Sequence, residues 1–545
     1  MIGTLARSAR ARFVAGSGAL CLAAALLATW DVLGRFGSAS MAGGAPAYGE
    51  TAHGDYLQSG YRLWLFGRQL GDGHLPWIDP YSFQPESPHQ IGLGGWPFGL
   101  LMWPVYALAS PIVAWNVFTV LAIAAGGWLA CWWLRELGLG RGAALVGGLA
   151  FALAPYRLEQ STGHLLGPIS ILLPLALACF ERGLRGSRAW HLGAAGALVS
   201  LPLSGQVHLA LGAVPFFAFY ALCRTRDRRD LRYAAAATVL GALGGILIQQ
   251  AVIARSIVAG GRDFHALTQY SAHPLDLLSR DHVGGSEQFV FLGGATLLLA
   301  LAGLVVLVRL RRWGIALALG VGTIVPAAAA LGSNLPLYRF AWHHSFVLRY
   351  ARVPERTLPI ACLCLAGLVA FAVDRLARRW PGGAAVTVAL AVAIVVVDLH
   401  VSVFEPTRAD EGNTAYAALR SQGPGRLLEL PVFLPGDDHG SVYFDYLMQA
   451  PRQRPLGYST LARPAGDRAA RGLWPLNCGV VGSAQRRLIA ELGIRFVTLH
   501  RGLFRGAGRT DLVAAARAGL RGAGFRRIAL GGEVELWRLE GRAKT

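Results

Sequence analysis

Long apolar runs recur along this chain, separated by short breaks rich in arginine, and that alternation leaves few architectures open. A bilayer core needs roughly 20 apolar residues of helix to cross it. Runs of about 18 residues or more recur from near the N-terminus to about residue 403. Hydrocarbon offers no water to the backbone, so each N–H and C=O in such a run must be satisfied internally, and helices do this. With 54% hydrophobic and only 15% charged residues, the chain reads as a polytopic membrane protein.

The net charge of +20 invites a nucleic-acid reading, but its distribution excludes one. The arginines sit in the breaks: Arg7, Arg10 and Arg12; Arg182, Arg185 and Arg188; Arg224 through Arg232; Arg309, Arg311 and Arg312; Arg375, Arg378 and Arg379. Basic residues concentrated in short loops between spans mark the cytoplasmic side. Of seven cysteines, six lie in apolar runs and only Cys478 lies outside, so no disulfide framework or zinc spacing is present. The first apolar run follows a basic stretch as a secretory signal does, but it is long enough to span and reads as a retained helix.

Taking the basic breaks as cytoplasmic gives about 11 transmembrane helices: 13–33, 112–134, 143–156, 166–181, 190–204, 207–223, 233–254, 289–308, 314–331, 357–373 and 383–403. Residues 97–110 read as a half-inserted piece. The expected fold is therefore a membrane all-α polytopic bundle over residues 1–404, with a long first extracytoplasmic loop at 34–95. A C-terminal small α/β soluble domain over 405–545 is expected from strand-like runs at 426–432, 494–499 and 534–539 alternating with helix-like ones. An odd number of spans puts the N-terminus in the cytoplasm and this domain outside, in the plasma (inner) membrane.

Polar chemistry gathers in the first loop. Asp55 is the leading candidate, as a general base on an acceptor hydroxyl. Asp55-Tyr-Leu-Gln58 also fits a capping box, with Asp55 at the N-cap and Gln58 at N3, and the two roles are compatible. The following helix carries Leu57, Tyr61, Trp64, Leu65 and Arg68 on one side, as an interfacial helix does. Asp72, His74 and Asp79 are candidate ligands for a divalent cation together with His53 or Asp55, although Asp79-Pro80 is also an ordinary turn. Arg157, Arg262, Arg349, Arg352 and Arg356 lie on the outer side against the basic-inside trend. Guanidinium matches phosphate oxygens bidentately, which makes Arg352, Arg356 and Arg157 candidates for a donor phosphate. Snorkelling, or pairing with Glu355 and Asp263, is the plainer explanation. His164 is a further candidate at a helix mouth.

Several short stretches carry a family likeness: Gly54-Asp55-Tyr56 with Trp64, the Leu75–Asp79 turn, Pro155-Tyr-Arg157 through Gly163-His164, and Arg352-Val-Pro-Glu-Arg356. In these and in its layout over residues 10–400 the chain resembles the GT-C superfamily of integral-membrane glycosyltransferases, relatives of protein mannosyltransferases and lipid A aminoarabinose transferases. The resemblance implies a polyprenyl-phosphate-linked sugar donor, a lipid, glycan or protein acceptor, transfer with inversion, and an acid in the first outer loop as base, here Asp55. Members often pair two acids there, whereas Asp55 stands between His53 and Tyr56. A transporter or flippase for lipid-linked glycans is the rival class, but transporters carry internal repeats and ionisable groups at mid-helix. A non-catalytic assembly protein is the third.

The sidedness is directly measurable. Reporter fusions at residues 45 and 420 are both expected to be active only outside the cytoplasm, and a cytoplasmic signal at residue 45 removes the loop from any outer-face chemistry.

Overall fold

The computed structural model describes residues 2–281, 287–345, 348–350 and 353–540. Eight helices among the described residues are long and apolar enough to cross a membrane: Ala11–Ala28, Pro111–Glu136, Leu166–Arg185, Val207–Arg224, Arg228–Arg255, Trp313–Ala330, Pro354–Arg379 and Pro381–Asp398. This is a multi-pass membrane protein. The remaining three expected spans coincide with shorter apolar helices, Arg141–Ala152, Trp190–Leu203 and Gly294–Arg309. At 12, 14 and 16 residues and about 1.5 Å rise per residue, they fall short of a hydrocarbon core about 30 Å thick. Phe98–Leu108 is the helix of the half-inserted piece.

The chain divides into two compact units. One comprises Met1–Gly34, Val117–Ile248 and Gly261–Phe404, and the other Arg35–Asn116, Gln249–Gly260 and Glu405–Thr545. By this division the first loop groups with the C-terminal segment, across the expected cut at residue 405.

In the first unit, helix Leu358–Arg379 is buried along most of its length. An apolar helix becomes central when small residues on its neighbours let backbones approach. Gly303 does this, since a Cβ there would collide with the main chain of Leu368. Near the arginine-rich breaks, acids take up several guanidiniums. Glu181, fully buried, accepts from Arg224 Nε and Nη2 at 2.5 and 2.7 Å, and Glu136 accepts from Arg182 at 2.9 Å.

In the second unit, hydrogen bonds explain the division. Strand β1 (Ala39–Ala42) pairs antiparallel with β2 (Glu405–Arg408). Asn116, at the end of the loop segment, accepts from Met41 N and donates to the carbonyls of Phe36 and Ala39. A second, four-stranded sheet has the order β3 (Arg426–Leu430), β4 (Ile494–His500), β6 (Val534–Leu539), β5 (Phe525–Gly531). The β3–β4 pair is parallel, as a helical crossover requires, and the others are antiparallel. Gly532, at φ +57°, supplies the left-handed residue of the two-residue β5–β6 turn. Leu428, Leu430, Val497, Leu499 and Trp537 form the centre of the core on this sheet.

Buried polar groups tie loop and sheet together. Glu50 and His500 are both fully buried, with Nδ1 and Oε2 2.6 Å apart. Thr51 donates to Asp445 at 2.6 Å, and Gln449 donates to the same carboxylate at 3.1 Å. Burial, together with the nearby Glu411 and Asp410, pushes the Asp445 carboxyl up to about 7, well above the value of about 3.9 it has in an unfolded chain. The folded state thus binds the proton more tightly, and the stability this contributes is present at acid pH and lost as pH rises from about 4 through about 7. An Asp445→Asn variant escapes that loss. Its apparent Tm relative to the parent is expected to increase by several degrees between pH 5 and pH 8 in detergent, and a constant offset would contradict the assignment.

Candidate active site

Two groups of residues carry the chemistry, one in each compact unit. In the second, helix Asp55–Gly71 begins one residue earlier than a capping box would place it. Gly54, at φ +153°, is the N-cap and Asp55 is the first helical residue. A side chain at residue 54 would press on the Tyr56 ring, about 3.0 Å away, so glycine sets the entry of the chain into the helix. Gln58, expected to close the box, donates instead to the Tyr458 carbonyl at 3.1 Å. The half-buried Asp55 carboxylate accepts the Tyr458 hydroxyl at 2.6 Å. Burial together with this neighbouring carboxylate pushes the Tyr458 phenol further up from its ordinary value. Arg62, two turns along the same helix, acts electrostatically on both Asp55 and Tyr458. Asp55 is thus an oriented carboxylate at a helix N-terminus, where the helix dipole favours its charge.

His53 also lies in this unit. Its ring stacks on His439, with centroids 4.3 Å apart and planes inclined by 23°. Burial and the neighbouring His439 lower its affinity for a proton, against the opposing pull of Asp438 and Asp437.

Asp79, a further expected site residue, staples a turn. It is 2% exposed, and its Oδ1 accepts the Tyr61 hydroxyl at 2.8 Å and the backbone N–H groups of Tyr81 and Ser82 at 2.8 and 3.2 Å. A carboxylate with three donors on one oxygen is the staple of a turn. Asp72 faces Arg68 at 3.7 Å. The cation set drawn from Asp72, His74 and Asp79 is not assembled among the described residues, where the one gathering of this kind is His53, Asp438 and His439.

In the first unit a cavity of about 350 Å³ opens among helices Val207–Arg224, Trp313–Ala330 and Leu358–Arg379 and the turn Pro354–Thr357. Phe216, Phe219, Val321, Val325, Pro326 and Ile360 make it largely apolar, and among the described residues Arg356 is the one guanidinium on its wall. Arg356 donates from Nη2 to Glu287 at 2.7 Å, while its Nε is buried with no acceptor. The same Glu287 oxygen lies 3.4 Å from His164 Nε2, so two expected site residues share one carboxylate. Glu355 is fully buried beside Arg356, and Glu159, also buried near His164, is pushed up to about 7 by desolvation.

Arg157 is a correction. It is 2% exposed, and its guanidinium donates to Ser170 Oγ at 2.7 Å and to the carbonyls of Phe151 and Gly167. Each of its three nitrogens thus donates to an oxygen of its own bundle, the arrangement of a structural clasp. Arg352 lies outside the described residues.

Sequence reasoning missed Tyr458, Arg62, Glu287 and the Asp437-Asp438-His439 run. The last is a concentrated polar turn in an otherwise mixed segment, which was a usable signal. Tyr458 gave none, because only the fold brings it 403 residues back to Asp55.

No protein-family model matches the chain, and no curated protein does. Solved structures do. The chain is similar to arabinofuranosyltransferase AftD from mycobacteria, with TM-score 0.59 and 18% identity over 97% of this chain. It spans only 40% of the length of that protein. It is similar to the oligosaccharyltransferase of Archaeoglobus fulgidus (TM-score 0.52, 12% identity, 92% of this chain and 72% of the other). ArnT from Cupriavidus metallidurans matches almost end to end, with TM-score 0.51 and 13% identity over 97% of this chain and 98% of the other. All three are GT-C membrane glycosyltransferases, and theirs is the fold of this chain.

Proposed function

We propose that the protein is a membrane glycosyltransferase that moves a sugar from a polyprenyl-phosphate-linked donor to an acceptor hydroxyl on the extracytoplasmic face. The observation that carries this reading is the apolar cavity with Arg356 on its wall. A lipid-phosphate has the matching form, a branched hydrocarbon tail ending in an anion. Similar folds support it, since ArnT has been solved with undecaprenyl phosphate and the Archaeoglobus enzyme with a dolichol-phosphate and an inhibitory peptide.

In this reading the isoprenoid tail occupies the cavity and the phosphate takes the unpartnered Nε of Arg356, with Arg352 a second candidate. The acceptor oxygen attacks the anomeric carbon as the bond from that carbon to the phosphate oxygen breaks, and the configuration inverts. Asp55 takes the acceptor's proton, and the departing polyprenyl phosphate carries the charge that the guanidinium stabilises. Tyr458 holds the Asp55 carboxylate in place by its hydrogen bond. The N-terminus is cytoplasmic and the segment 405–545 extracytoplasmic in the plasma (inner) membrane.

Binding and chemistry can be tested separately. Undecaprenyl phosphate in detergent is expected to raise the apparent Tm of the parent, and Arg356→Ala to lose most of that shift while Asp55→Asn keeps it. With radiolabelled polyprenyl-phosphate sugars in proteoliposomes, Asp55→Asn is expected to cut the transfer rate by about 10²–10⁴ with donor binding intact. A variant that transfers at the parental rate removes Asp55 as base, and a lipid that shifts parent and Arg356→Ala alike removes Arg356 as the phosphate contact.

A further inference from the structure

His53 and His439 are 386 positions apart in sequence, yet one imidazole lies over the other. Two features of the surroundings make this more than a ring stack. First, the turn Asp438–Ser441 that carries His439 begins with two consecutive carboxylates. His439 Nδ1 lies 3.0 Å from Asp437 Oδ1 and 3.3 Å from Asp438 Oδ1. Second, one donor atom from each of His53, Asp438 and His439 falls within 4.8 Å of the other two. Around a tetrahedral ion with bonds of about 2.1 Å, neighbouring ligand atoms stand about 3.4 Å apart. The 3.3 Å between His439 Nδ1 and Asp438 Oδ1 is one such edge, and His53 has an atom within 4.8 Å of both residues.

The local backbone holds the set in place. Asp437 Oδ1 also accepts the His439 backbone N–H at 3.1 Å, fixing the turn. Gly54 N donates to Ser441 Oγ at 3.0 Å, fixing the segment that carries His53 against the turn. Phe433 stacks on the other side of His439, with centroids 5.8 Å apart, and shields that face. Imidazole nitrogens with carboxylate oxygens and no thiolate suit zinc or manganese, whereas magnesium and calcium favour all-oxygen shells.

We propose that His53, Asp438 and His439 form a binding site for a divalent transition-metal ion, Zn²⁺ or Mn²⁺, with Asp437 as a supporting carboxylate and a remaining position open to water. The ion fastens the segment two residues ahead of Asp55 to the turn Asp438–Ser441. The site is independent of the transferase reading, because metal binding is measured without turnover.

The test uses the full chain in detergent, purified on a tag free of histidine, stripped with EDTA and reloaded with ZnCl₂ or MnCl₂. About one equivalent of Zn²⁺ or Mn²⁺ per chain is expected to survive desalting, read by plasma mass spectrometry, and to raise the apparent Tm. His53→Gln and His439→Gln are each expected to abolish retention. Asp438 is exposed, so Asp438→Asn keeps the test valid if a histidine variant elutes as aggregate, and it is expected to weaken binding at least about tenfold. A parent that retains no more metal than the detergent blank overturns the proposal. So do histidine variants that retain the parental amount, or a preference for Mg²⁺ or Ca²⁺ over both transition metals.

Discussion

Glu50 and His500 set the terms for the rest of the second unit. Both are fully excluded from water, and a lone charge there would cost several kcal/mol. The carboxylate is therefore kept supplied: one oxygen takes His500 Nδ1 at 2.6 Å and the other takes the Gly502 N–H at 2.7 Å. The far side of the imidazole is occupied by the Tyr416 hydroxyl at 3.0 Å, which in turn meets Thr498 at 3.1 Å. Every partner comes from the C-terminal segment, so the acid at residue 50 cannot leave without stranding a whole network. Five residues on is Asp55. Its position is inherited from a pair whose separation would be prohibitively costly, and the β1–β2 ribbon repeats the same tie with backbone hydrogen bonds.

That dependence explains which parts of the molecule were legible in the sequence. Membrane helices are written in composition over about 20 residues, so eight of the expected spans emerge as helices of sufficient length. The turn residues of 426–539 and their alternating apolar positions likewise announce strands. What composition cannot register is a contact between residues 50 and 500. A cut at residue 405 follows from a change in hydropathy, but the compact unit is defined by polar pairs that look ordinary one at a time. The same blindness governs the site residues. Arg157 and Arg356 are alike on the page, each an arginine near a helix mouth. One faces three oxygens of its own bundle, and the other borders a cavity with a donor unspent. Asp55 and Asp79 differ too: the Asp55 carboxylate accepts the Tyr458 phenol, and one Asp79 oxygen takes three donors at a turn.

Glu287 shows how local charge is arranged around Arg356. A guanidinium buried beside hydrocarbon is stable only with an anion close by, and Glu287 supplies it at 2.7 Å. One oxygen serves both Arg356 and His164, and the Arg356 Nε has no acceptor among the described residues. In Arg157, by contrast, each of the three nitrogens donates to Ser170 or to the carbonyls of Phe151 and Gly167.

The cavity also discriminates between kinds of donor. A nucleotide sugar presents a base, a ribose and two phosphates, and each buried polar group without a partner costs about 1–3 kcal/mol. Walls made mostly of residues such as Phe216, Phe219, Val321, Val325, Pro326 and Ile360, with His208, Tyr338 and Thr357 among the few polar ones, offer such groups few partners. For hydrocarbon the balance reverses, at about 0.8 kcal/mol gained per buried CH₂, and a space of about 350 Å³ accepts several isoprene units in place of water. In the proposed reading, the apolar lining therefore favours a lipid-phosphate sugar over a soluble one.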